Sequence, residues 1–124
     1  MPCESLRLAI KDLEEVLSTP LDERRIVVDA TTRRFVLAFE SSWKTLKRFL
    51  LVEGVETKSP RETLKKAYQF HWLEDEQLWL DMMHDRNATS HIYDEDKAHA
   101  IYLRIKLYCV AMRQVYDKLA NSMK

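Results

Sequence analysis

The chain has little of what would fold it into sheets, staple it or carry it into a membrane. One glycine and three prolines among 124 residues leave almost no turn chemistry for an all-β fold, whose hairpins need those residues. Two cysteines, Cys3 and Cys109, are too few for a disulfide framework and lack zinc-ligand spacing; they read as free thiols of a reducing, cytoplasmic compartment. No apolar run reaches the ~20 residues that a bilayer crossing needs, and no secretion signal is visible. The 20 basic and 20 acidic residues cancel, so the chain as a whole is no electrostatic magnet for nucleic acid; any such contact must be local or shared between subunits.

What is present is helical periodicity. Hydrophobic residues make up 46% of the chain and charged residues 32%, enough for one core and a solvated surface, and the length suits a single domain, 1–124. Leu6, Ala9, Ile10, Leu13, Val16 and Leu17 recur at three- and four-residue steps and give a first amphipathic helix ending before Pro20. Leu21-Asp22 opens a second, free of proline and glycine to about Val52, with Ile26, Ala30, Val36 or Leu37, Phe39, Trp43, Leu46 and Leu50 as its apolar stripe; Gly54 stops it. Ser59-Pro60-Arg61-Glu62 combines a cap, a first-turn proline and a capping-box glutamate. The third helix it opens carries Leu64, Ala67, Tyr68 and His71. A fourth holds Leu78, Trp79, Met82 and Met83 inward, and a last one starts at Asp94. The expected fold is all-α: an up-and-down four-helix bundle with a short additional helix.

The chemistry concentrates in Asp85-Arg86-Asn87-Ala88-Thr89-Ser90-His91-Ile92-Tyr93. Arginine is a permanent forked donor suited to phosphate, and histidine exchanges protons near neutral pH. On an ideal helix residues five apart point ~140° away from each other, so Arg86 and His91 converge only if the helix ends or kinks between them. The alternative for Arg86 is a structural ion pair, with Glu40 as the natural acid. Glu40 stands on an otherwise apolar stretch, either as partner of an arginine or a tryptophan N–H or as the group that orients Arg86 or His91. Asn87 can orient the histidine or a phosphate, or bond across the bundle, and Asp85 is a further supporting candidate. His71, His84 and His99 lack paired metal spacing, so neither a metal nor a cofactor is expected. Lys44, Lys47, Arg48, Lys65 and Lys66 form two basic stretches, either a solvated face or a contact for an RNA backbone. The strand-borne Gly-Ser and paired aspartates of a nucleotidyltransferase are absent, as is a P-loop.

The run Arg86, four residues, His91, one residue, Tyr93 resembles the motif of HEPN-type toxins. Phe35 to Leu50, with Glu40, Ser42 and Trp43, resembles the second-helix signature of the nucleotidyltransferase substrate-binding protein family within the HEPN group. Ser59-Pro60-Arg61-Glu62, Trp79 to Asn87 and Tyr93-Asp94-Glu95 follow in that family's order. The resemblance implies a HEPN-like bundle, a partner minimal nucleotidyltransferase and a homodimer with its site at the two-fold. It further implies a metal-independent endoribonuclease, with Arg86 holding the scissile phosphate of RNA and His91 moving protons, silenced by adenylation of Tyr93. The other expectation it leaves open is a non-enzymatic subunit that presents nucleotide or another substrate to a separate nucleotidyltransferase.

Overall fold

A computed structural model describes residues 3–18, 24–91 and 94–122. Five α-helices follow one another, α1 (Glu4–Leu17), α2 (Arg25–Val52), α3 (Pro60–Gln69), α4 (Glu76–Ala88) and α5 (Glu95–Ser122), with a single 3-10 turn, Thr89–His91, after α4. Among the described residues there is no strand, as the scarcity of turn residues implies. The expected opening of the second helix at Leu21-Asp22 lies outside the described residues.

The two 28-residue helices, α2 and α5, pack on each other and on α1 and α4, while the ten-residue α3 lies against α2 and α4. This is the four-helix bundle with a short additional helix. Its core is continuous: Leu6, Ile10 and Leu13 of α1, Phe35, Phe39 and Leu46 of α2, Trp79 and Met82 of α4, and Ile105, Tyr108 and Met112 of α5 are all buried. Phe35 and Tyr108 stack with ring centroids 5.6 Å apart. No described helix is long and apolar enough to cross a membrane.

The helix signals work as their chemistry dictates. The Ser59 side chain accepts from the Glu62 N–H and Pro60 occupies the first turn. Glu62 reaches back to the Lys58 N–H at 3.2 Å. Asp75 caps α4 through the Leu78 N–H, and Asp94 accepts from the Asp96 N–H at 2.8 Å, just ahead of α5. Gly54, at φ +82°, supplies the left-handed residue after α2.

Some residues face other ways than their spacing suggests. Ile26 is 75% and Leu37 58% exposed, and Ala30 is exposed. The inward face of α2 runs instead through Val28, Thr31, Phe35, Ala38, Phe39, Ser42, Thr45, Leu46 and Leu50. Small polar residues tolerate that burial because they bond to their own helix, as the Ser42 hydroxyl does to the Ala38 carbonyl at 2.8 Å. Tyr68 is exposed on α3. His71 lies beyond that helix, exposed, at φ +63°.

Candidate functional site

Of the candidate residues, Arg86 and Glu40 come together where the last turn of α4 meets the middle of α2. Arg86 donates from Nε to Glu40 Oε1 at 2.7 Å. The other carboxylate oxygen, Oε2, accepts from Trp43 Nε1 at 3.1 Å, one turn along α2. Glu40 is thus the partner of an arginine and of a tryptophan N–H at once, and the structural ion pair given as the alternative for Arg86 is present. The pair is half-buried, with side-chain exposures of 25% for Arg86 and 30% for Glu40. Arg86 is held through Nε, and among the described residues no hydrogen bond engages its terminal nitrogens. The negative charge beneath it also fixes its orientation.

The helix ends between Arg86 and His91, as their convergence would require. The α-geometry stops at Ala88 and the chain tightens into the 3-10 turn. Thr89 stabilises that exit by donating its hydroxyl to the Arg86 carbonyl at 2.6 Å. His91 closes the turn with its side chain exposed. Among the described residues no hydrogen bond or ion pair joins it to Arg86. Asn87 is exposed beside the arginine. Tyr93 lies outside the described residues.

Asp85 faces the other way, into a polar cluster that sequence reasoning missed. Its carboxylate, 8% exposed, takes two hydrogen bonds from Arg104, Nε to Oδ2 at 2.7 Å and Nη2 to Oδ1 at 2.9 Å. The Tyr108 hydroxyl donates to Oδ2 at 2.5 Å. Burial works against the charge on Asp85, but the bonds from Arg104 and then Tyr108 prevail and hold the carboxyl below its ordinary range. Burial, followed by the bond to Asp85, pushes the Tyr108 phenol well above its own. Arg104 and Tyr108 are one turn apart on α5, so the cluster locks the last turn of α4 to α5 at the residue preceding Arg86. The sequence signal was available in principle: an arginine four residues before a tyrosine on one helix face, opposite an aspartate on an inward position.

No group of three or more histidine, cysteine, aspartate or glutamate side chains among the described residues could hold a metal ion. What the arrangement offers is a cation held by a carboxylate, an exposed imidazole five residues later, and a helix end between them. That equipment suits the binding and proton transfer of a phosphate ester.

The family described as nucleotidyltransferase substrate binding protein like matches residues 2–121. The chain belongs to that family. Over 98 residues, 75% of this chain and 67% of the relative, it is 26% identical to a Haemophilus influenzae protein named "Probable ribonuclease HepT". A crystal structure from Thermus thermophilus matches with a TM-score of 0.86 at 34% identity, covering 92% of this chain and 98% of that one. A second solved structure, from Haemophilus influenzae, is described as revealing the fold of a substrate binding domain of a nucleotidyltransferase. It matches with a TM-score of 0.81 at 24% identity over 93% of this chain and 96% of that one, a likeness of fold.

Proposed function

We propose that this family member is the ribonuclease toxin of a toxin–antitoxin pair, a metal-independent endoribonuclease in which Arg86 binds the scissile phosphate and His91 carries the protons. The observation that supports this most is the end of α4 between Arg86 and an exposed His91, the break in the helix that the two would need to act on one phosphate. The similarity to a probable ribonuclease supports the same reading. In the reaction an imidazole removes the proton of the ribose 2′-hydroxyl. O2′ attacks phosphorus and the P–O5′ bond breaks. A second, protonated imidazole donates its proton to the departing O5′. The products are a 2′,3′-cyclic phosphate and a 5′-hydroxyl, and no redox partner or metal enters the balance.

One histidine cannot serve both transfers within a single step, so the acting unit is a homodimer that brings two copies of His91 to one phosphate. Leu37, exposed on α2 one turn before Glu40, gives the second copy an apolar contact beside the site. A minimal nucleotidyltransferase is the cognate partner. Adenylation of Tyr93, two residues after His91, adds about one negative charge where the RNA phosphate would sit and competes for Arg86.

The family's description, and that of the second structural neighbour, favour a second reading: a non-enzymatic subunit that presents nucleotide or another substrate to a nucleotidyltransferase. The test is RNA cleavage in excess EDTA by partner-free protein, wild type beside His91→Ala, with mass spectrometry verifying unmodified Tyr93. Cleavage that disappears in the variant supports the nuclease. A folded, unmodified wild type that cleaves none of the RNAs tested favours the binding subunit.

A further inference from the structure

Charge is unevenly distributed on α2. The chain balances 20 basic against 20 acidic residues, yet α2 carries Arg25, Arg33, Arg34, Lys44, Lys47 and Arg48 against only Asp29 and Glu40. Both acids are engaged: Asp29 lies 3.9 Å from Arg25, and Glu40 holds Arg86 and Trp43. From Ala30 to Val52 the helix therefore has no spare carboxylate. Among the described residues no ion pair engages Lys44, Lys47 or Arg48. Lys44 and Arg48 are exposed and Lys47 is half-buried.

Their register is informative. At ~100° per residue, Lys44, Lys47 and Arg48 stand within roughly 80° of Glu40 on the helix wheel. They lie ~6 to ~12 Å along the axis from Glu40 at 1.5 Å per residue, on the side away from Leu37. Beyond Glu40, the next acids along the chain, Glu53 and Glu56, lie past the end of the helix. On the helix wheel these three cations thus follow Glu40, the residue that holds Arg86.

We propose that Lys44, Lys47 and Arg48 form a backbone track for single-stranded RNA, holding the phosphates next to the one at Arg86. The inference rests on the nuclease reading for its ligand and deepens it by giving the substrate a footprint on α2. Flexible lysines bind phosphate as point charges and read no bases. The track therefore sets affinity and the length of RNA engaged, and leaves sequence preference to other groups.

The test uses full-length protein carrying His91→Ala, so that binding is read without cleavage, and a labelled oligouridylate followed by fluorescence anisotropy across a salt series. Replacing Lys44, Lys47 and Arg48 together by glutamine should lower the steepness of log K against log salt by ~2, from ~0.7 for each phosphate no longer neutralised, and weaken binding at least tenfold at low salt. A control replacing the exposed Lys11, Lys97 and Lys106 by glutamine changes the net charge equally and should leave the slope intact. Circular dichroism checks that both triple variants fold. Equal losses in the two triple variants would overturn the track, because net charge alone would then explain binding. No binding by any variant would also overturn it. Cleavage by protein with an intact His91, read in parallel, separates the two claims. Track-dependent binding without cleavage sinks the nuclease and keeps the track, while cleavage and binding that ignore the triple change do the reverse.

Discussion

Removing the carboxylate of Asp85 tests how the site is held. Asp85→Ala deletes three hydrogen bonds at once, two from Arg104 and one from Tyr108. The consequences for the two donors differ. Arg104 is 47% exposed and turns to water at small cost, as surface-side ion pairs generally do. Tyr108 is 2% exposed, and its hydroxyl is left without an acceptor, costing about 1–3 kcal/mol. With the small void left by the side chain, the expected loss is about 2–3 kcal/mol, or a fall in Tm of roughly 10 °C for a domain of this size. Tyr108→Phe alone should cost only about 1 kcal/mol, because the Arg104 bonds persist. The double variant should be less damaged than the sum of the singles, since the stranded hydroxyl is then gone. Urea denaturation of the four proteins measures the cycle. An Asp85→Ala loss below about 0.5 kcal/mol, the ordinary range for a surface substitution, or strict additivity in the cycle, would refute the reasoning.

The same cluster fixes a pH dependence. The Asp85 carboxyl is depressed in the folded chain, so its contribution is fully present above the unfolded value of ~3.9 and is lost as pH falls through the folded value; the gap between wild type and Asp85→Asn in thermal melts should close in acid. Glu40→Ala releases Arg86 from a half-buried pair, with a stability cost of about 1 kcal/mol or less; under the proposed mechanism RNA cleavage falls far more than stability does, which paired activity and melting measurements resolve. Burial pushes the Cys109 thiol up to about 11, and Cys3 is raised for the same reason, so a thiol reagent at pH 8 should label the folded protein slowly and both residues promptly in urea. Ser59→Ala, which removes the acceptor of the Glu62 N–H, should cost about 1 kcal/mol in denaturant titration.

Much of the fold was legible because strong local signals agree with one another. The Ser59-Pro60-Arg61-Glu62 start, the Gly54 stop and the Asp94 opening of α5 each follow from one physical rule, and each lies where that rule puts it. The face of α2 was harder to read. Its buried side mixes Thr31, Ser42 and Thr45 with Phe35 and Leu46, so hydrophobicity alone picked Ile26, which points outward, and left Val36 and Leu37 as alternatives, of which Val36 packs partly buried against the core and Leu37 is exposed. The site was half legible: Glu40 as partner of Arg86 followed from a lone acid on an apolar stretch. The Asp85–Arg104–Tyr108 cluster did not, because it joins residues 19 and 23 positions apart whose meeting depends on how α4 docks on α5. His71 was assigned to α3 by spacing, but the chain leaves the helix just before it.

The central claim is that Arg86 and His91 direct attack by the RNA's own 2′-hydroxyl. The most direct measurement uses an RNA oligonucleotide whose cleavage position has been mapped, prepared with and without a single 2′-deoxy substitution at the nucleotide that supplies the attacking oxygen. Each is incubated with partner-free protein in excess EDTA. The account predicts a 2′,3′-cyclic phosphate product from the all-ribose strand, none at that position from the substituted strand, and none from either with His91→Ala. Cleavage at the 2′-deoxy position, or cleavage that survives loss of the imidazole, would contradict it.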